Sequence, residues 1–192
     1  MKATLVRVDD VAPVPWRNGG GLTRELLAWP AAQDWAIRIS VADIIASGPF
    51  SVFPGVERWF AVLSGDAVRL DTAGAATQVL DASWTALHRF SGDAATQCSA
   101  LGAGTRDFNV MLRRSRGRLD QQPLAQCPLL HTTAAVVALF AVEPVAVEEV
   151  GGAACRLPGM ALAWWSNPRR EPLALRAAAA ARGWWLQVDT GP

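Results

Sequence analysis

Hydrophobic and polar positions alternate with period two along much of this chain. In Trp35-Ala36-Ile37-Arg38-Ile39-Ser40-Val41, Trp35, Ile37, Ile39 and Val41 share one face, while Ala36, Arg38 and Ser40 share the other. That is the pattern of a half-buried strand. Arg58–Leu63, the turn Ser64-Gly65-Asp66 and Ala67–Leu70 read as strand, tight turn, strand. Thr72-Ala73-Gly74 marks another turn. Asp107–Leu112 alternates again, with Asp107, Asn109 and Met111 on one side. Further strand candidates are Ala134–Val142, Val145–Val150, Ala161–Trp165 and Trp184–Val188. Short strands separated by turns at roughly 8–12-residue spacing predict an all-β sandwich or barrel.

Two segments need arbitration. Pro172–Arg182 holds five consecutive alanines, Ala177–Ala181, followed by Gly183, which propensity and capping rules read as a helix. The rival is a strand Leu173–Arg176, a small-residue turn, then Trp184–Val188. The β-like flanks favour this hairpin, because tertiary context overrides propensity. Near residues 114–130, Arg113, Arg114, Arg116 and Arg118 precede Gln121, Gln122 and Pro123. We read this as a solvated strand end and linker. It divides the chain into residues 1–115 and 116–192, two strand-rich halves expected to share a core in one compact globule.

Composition narrows the function classes. The 192 residues are 51% hydrophobic and 18% charged, which excludes general disorder. A net charge of +1 offers no field to steer nucleic acid or an anionic membrane, and the arginine cluster lacks interleaved aromatics. Cys98, Cys127 and Cys155 are odd in number and far apart, with no C-x-x-C, so neither a disulfide framework nor a zinc knuckle is expected. Asp9 and Asp10 interrupt any signal h-region, and no apolar run reaches about 18 residues. A soluble cytoplasmic protein is the expectation. Trp164-Trp165 and Trp184-Trp185 each send one ring to either strand face. The outward rings would cover an interface between halves or subunits, a homodimer included, or form a carbohydrate platform.

Trp16-Arg17-Asn18-Gly19-Gly20-Gly21-Leu22-Thr23-Arg24-Glu25-Leu26 carries the most information. It lacks the G-K-[ST] and strand-to-helix context of a phosphate loop. It fits either an irregular loop or one packed against a pocket with Asn18 at the rim. Thr23 and Glu25 then share one strand face, and Leu22, Arg24 and Leu26 the other. His88 and His131 have no H-x-H or i,i+4 partner, and no G-x-S-x-G elbow is present. Cys98 reads as a small core hydrophobe.

The series WRNGGGLTREL, WAIRISVA, SGPFSVFPGVER, LSGD, FSGD and RDFNVMLRR, in this order, resembles the HutD/Ves family. The likeness runs from about Leu5 to Arg114, and only strand patterning continues it beyond. The resemblance implies a metal-free double cupin: two small β-barrels fused in one unit, with a pocket in the N-terminal barrel. It also implies a link to histidine utilisation, or to a stress-related role in the Ves branch. Where metal cupins carry ligands, this chain has Ser51, Phe53 and Glu57, then Ala95 in place of a last histidine. Phe and Ala do not ligate, so no metal site and no cofactor are expected.

The polar residues expected to line the barrel are Thr23, Glu25, Arg38, Ser40, Ser51, Arg58, Asp107 and Asn109, with Asn18 at its edge. A buried guanidinium needs a partner. Either Arg38 and Arg58 pair internally with Glu25, Glu57 or Asp107, or one fork remains open for a carboxylate. Phe50, Phe53 and Trp59 would wall the site. The expected function is binding a small carboxylate, N-formylglutamate or urocanate by resemblance, in a regulatory or modulatory role. Arg38 and Arg58 would hold the carboxylate, Asn18, Thr23, Ser40, Ser51 and Asn109 would make polar contacts, and Glu25 and Asp107 would orient the arginines. Two rivals stand beside it: a metal-independent isomerase or hydrolase using Glu25, Glu57 or Asp107, and an interaction protein whose barrel is filled by its own side chains.

Overall fold

The computed structural model describes residues 2–190 and is built of β-strands, with short 3-10 turns at Val8–Asp10 and Arg114–Arg116. In chain order the strands are β1 (Thr4–Arg7), β2 (Val14–Pro15), β3 (Gly21–Trp29), β4 (Ile37–Ile44), β5 (Gly48–Pro49), β6 (Val56–Gly65), β7 (Val68–Thr72), β8 (Gln78–Leu80), β9 (His88–Ser91) and β10 (Thr96–Ala100). There follow β11 (Thr105–Arg113), β12 (Arg118–Pro123), β13 (Leu129–Thr132), β14 (Val136–Ala141), β15 (Val145–Glu149), β16 (Cys155–Leu157), β17 (Ala161–Ser166), β18 (Leu173–Ala177) and β19 (Gly183–Asp189). The chain divides into two compact units, Ala12–Arg116 and Met1–Val11 with Gly117–Pro192. The first eleven residues were expected with the N-terminal half. They belong to the other unit because β1 pairs with β17, Thr4 opposite Trp164 and Arg7 opposite Ala161.

The N-terminal unit is a six-stranded sheet, β2-β3-β4-β11-β6-β9, and a four-stranded sheet, β5-β10-β7-β8. Ile44, Phe60, Val62 and Phe90 from the first sheet pack with Val68, Leu70, Leu80 and Cys98 from the second. Sheet-on-sheet packing of this kind needs alternating apolar positions, and these strands supply them. The register fixes the rest. Met111 stands opposite Arg38 and Arg58, Asn109 opposite Ser40 and Phe60, and Asp107 opposite Ala42 and Val62. Because side chains alternate, Arg38, Ser40, Arg58, Asp107, Asn109 and Met111 share one face. Ile37, Ile39, Val41, Phe108, Val110 and Leu112 take the other and are buried.

Two local irregularities depart from the simple alternation. Glu25 pairs with Ser40 but Leu27 with Ile39, so Leu26 is an extra residue that reverses the parity of β3 and sets Ala28 opposite Arg38. Trp35 lies before β4 and packs with Val56 and Met111 rather than following Ile37.

The C-terminal unit pairs a five-stranded sheet, β1-β17-β14-β19-β12, with a four-stranded one, β13-β18-β15-β16. Its hydrophobic core has Leu139, Trp165, Leu173, Leu175 and Trp185 among its large members. Trp184 and Trp185, one of which was expected to face outward, are both fully buried, and Trp184 stacks on Phe140, which removes the pair from any exposed aromatic platform. The expected linker beyond Arg116 carries strand β12, whose Gln122 and Pro123 lie opposite Trp185 and Trp184.

The alanine run is not helical. Leu173, Leu175 and Ala177 turn inward from β18, and burying that face outweighs the helix propensity of alanine. Yet β18 and β19 are not a hairpin, since they lie in different sheets; β6 and β7 are likewise split. Each is an arch that carries the chain from one sheet to the other. Gly183 permits the second arch, because a Cβ there would sit 2.4 Å from the Phe140 carbonyl oxygen. Phe60 is one of the largest fully buried side chains of the N-terminal core. Phe60→Ala should cost about 3–5 kcal/mol of stability, read by urea unfolding.

Candidate functional site

Three adjacent strands, β4, β11 and β6, carry a polar stripe on the face that also bears the N-terminal core. At its centre is Arg58, only 5% exposed. Its guanidinium lies 4.9 Å from the ring centroids of Phe50 and Phe90 and 5.7 Å from that of Phe53. Phe90 meets it because β9 places Phe90 directly opposite Arg58. The rings offer their π faces to the cation. They offer nothing to its in-plane N–H groups. Arg58 Nε is buried with no hydrogen-bond partner, and among the described residues no carboxylate lies within ion-pair distance of the guanidinium. Burial lowers its pKa to about 10, an effect the nearby Asp107 opposes and the Arg38 charge adds to.

Asp107 is 2% exposed, and its side chain forms no hydrogen bond or ion pair among the described residues. Burial pushes its carboxyl up to about 8, with Arg58 pulling down and Asp43 pushing up. At neutral pH it is therefore mostly the uncharged acid, and it does not orient Arg58 as an ionic partner. Two residues along the same face, Asn109 has a buried Oδ1 without a partner. Ser40, across from Asn109, is buried, and its side chain makes no hydrogen bond among the described residues. Arg38 sits at the half-exposed end of the stripe, with Nε 2.5 Å from a Glu25 carboxylate oxygen. That is a charge contact without hydrogen-bond alignment, since the same Nε has no hydrogen-bond partner.

The remaining expected residues lie apart from this group. The Trp16 indole donates a 2.7 Å hydrogen bond to the Thr23 hydroxyl. Asn18 is exposed and its Oδ1 accepts the Gly20 N–H at 3.0 Å, closing a local turn. Ser51 is exposed and makes no hydrogen bond among the described residues. Glu57 alternates with Arg58 and meets Arg89 at 3.0 Å and Arg114 at 3.6 Å. Trp59 follows the same parity and stacks under Arg89, so it does not wall the site. Phe90 takes that place. It was absent from the expected residues, although strand pairing with β6 was the signal that would have found it.

Other candidate chemistry is occupied structurally. Arg113 lies 4.7 Å over Trp35 and pairs with Asp34, Arg116 also pairs with Asp34, and Arg114 pairs with Asp93. His88 stacks on Phe90 at 5.8 Å, and burial lowers its pKa. Cys98 is buried, and desolvation pushes its thiol up to about 12. Among the described residues no three His, Cys, Asp or Glu side chains gather as a metal site. Among the described residues no helix is long and apolar enough to cross a membrane. A surface hollow of about 520 Å³ opens in the C-terminal unit beside His131, Thr132, Gln187 and Asp189. In the N-terminal unit, by contrast, Phe60, Val62 and Phe90 fill much of the interior. The stripe is accessible at its half-buried members, Glu25, Arg38 and Asn109.

The HutD family model matches residues 8–185, well past the stretch where the sequence motifs thin out. An uncharacterized 21.2 kDa protein in the hutC 3′ region of Pseudomonas putida is 37% identical over 142 residues, covering 71% of this chain and 72% of that protein. Protein Ves of Citrobacter koseri is 38% identical over 112 residues, 56% of this chain and 58% of that protein. Among solved structures, HutD from Pseudomonas fluorescens SBW25 has a TM-score of 0.87 over the whole of both chains at 24% identity. A cupin 2 conserved barrel domain protein from Leptotrichia buccalis has a TM-score of 0.59 at 8% identity, covering 97% of this chain and 96% of that one. The fold is thus all-β and of the double-cupin class.

Asp107 makes stability depend on pH. Its folded pKa, about 8, lies above the usual carboxylate value of about 3.9, so the native state holds a proton that the unfolded chain releases. Its contribution is fully present below the lower value, erodes as pH rises and is gone above the higher one. Asp107→Asn removes that erosion. Between about pH 5 and pH 8 the variant's Tm should fall by several degrees less than that of wild type in a thermal-melt series.

Proposed function

The chain belongs to the HutD family, and from that premise we propose that it binds a small carboxylate metabolite at Arg58, in a regulatory or modulatory role. The observation that carries this reading is the buried Arg58 guanidinium, caged by three phenylalanine rings and unpaired along its N–H edge. A desolvated cation without a counter-ion is costly, and an entering carboxylate would supply the missing acceptors in bidentate form. Arg38, held by Glu25 at the accessible end, would draw the anion inward, and Asn109 with Ser40 would satisfy its remaining polar atoms. Histidine-degradation intermediates are the natural candidates, since relatives carry hut-region names. N-formylglutamate and urocanate both bear the required carboxylate. The filled part of the barrel favours a small ligand, or a longer one that enters by its carboxylate end.

A catalytic reading has one supporting observation, the dry Asp107 carboxyl, which is poised to exchange a proton near neutral pH. Sustained conversion of N-formylglutamate or urocanate by the purified protein would select that reading over simple binding.

Thermal shift with formate, acetate, N-formylglutamate and urocanate tests the proposal directly. At least one should raise the wild-type Tm. Arg58→Met should abolish that rise, and Arg38→Gln should weaken affinity by roughly 10-fold or more, the worth of a charged hydrogen bond. No shift from any carboxylate, or a shift that survives in Arg58→Met, would refute the assignment.

A further inference from the structure

Arg58 and Asp107 raise a question that carboxylate binding alone does not answer. Apart from burial, each is the foremost charge acting on the other. Both are buried on one face of adjacent strands, and yet no ion pair within 4.0 Å joins them among the described residues. An ionised carboxylate would compete with any incoming anion for the single guanidinium. A neutral acid leaves the field of the cation intact and adds an O–H donor on the same sheet face.

Resting on the carboxylate reading above, we propose that Asp107 meets the ligand as a carboxylic acid and donates a hydrogen bond to the anion that Arg58 holds. Anion capture is thereby coupled to the proton on this one side chain. The ligand carboxylate accepts from the guanidinium on one edge and from the Asp107 O–H on the other. The Asn109 amide, whose Oδ1 is unpartnered, stands between Asp107 and the Met111–Arg58 pair on that face and contacts the same anion. Asp107 then sets specificity as well as pH dependence, because its O–H selects an acceptor-rich, planar head.

The groups around this pair leave Asp107 as the titrating partner. Arg58 on β6 loses its proton only near 10, and the Cys98 thiol on β10 only near 12. His88 on β9 stacks on Phe90, and burial lowers its pKa, which favours the neutral imidazole. Asp43 on β4 is paired with Arg24 and Arg106 and is held below the ordinary carboxylate range. Arg38 on β4 and Glu25 on β3 form their own ion pair at the accessible end.

The experiment is calorimetric titration of acetate and N-formylglutamate into wild type and Asp107→Asn from about pH 6.5 to about pH 9.5. It is paired with 13C-carboxyl NMR of aspartate-labelled wild-type protein, with Asp107→Asn providing the assignment. Wild-type affinity should fall about tenfold per pH unit above the Asp107 titration, while the variant, a permanently neutral donor, stays flat over the same range. The Asp107 resonance should titrate far above the other carboxyls, and higher still with ligand bound. Matching pH profiles for the two proteins, or an Asp107 resonance that titrates in the ordinary carboxylate range, would overturn the coupling alone. Absence of binding by both proteins at every pH would overturn the carboxylate reading and the coupling with it.

Discussion

A guanidinium buried among phenylalanine rings, with no carboxylate to close on it, is the constraint around which the N-terminal unit is arranged. The rings stabilise the cation from above and below and keep water out. That same exclusion lowers the Arg58 pKa and raises that of Asp107. Two neighbours that would be ionic partners in water are thus driven toward different states: one keeps its charge and the other tends to lose it. The unsatisfied Nε of Arg58 and Oδ1 of Asn109 are a local sacrifice of stability, of the kind that structures retain at sites where something binds.

The architecture explains why that sacrifice is tolerated. The polar stripe runs across β4, β11 and β6, the interior strands of a six-stranded sheet, whose backbones are pinned by partners on both sides. Below it, Phe60, Val62, Leu70 and Leu80 form a tightly buried floor. The C-terminal unit repeats the two-sheet plan, and its fully buried Asn167 is satisfied by hydrogen bonds with the Glu171 backbone. The buried charged residues Arg58 and Asp107 thus lie in one unit, and the other provides a surface hollow lined by partly polar groups.

Alternation made much of this legible. Counting by twos put Arg38 with Ser40 and Asp107 with Asn109, and strand register brings those pairs and Arg58 to one face. The same counting, applied without exception, would have excluded Trp59, which must oppose Arg58. Asn18 and Ser51 sit in loops, where no period constrains direction, and local turn bonding or solvent claims them. Leu26 and Trp35 depart from the pattern because a bulge and a chain entry reset parity, and neither has a strong residue signature. Arches resembled hairpins because alternation reports which side of a strand is apolar and says nothing about which sheet receives it.

The placement of β1 bears on how this molecule comes into being. Thr4–Arg7 is separated from the neighbour it pairs with, Ala161–Ser166, by the whole of the other unit in sequence. The intervening Ala12–Arg116 unit is continuous and could assemble while the opening segment waits. During that interval a short ribbon with an unpaired edge must avoid sticking to other nascent chains, and its brevity and terminal arginine are suited to that wait. Closure of the C-terminal unit is therefore a long-range step, which carries the loop-closure entropy of the whole intervening segment.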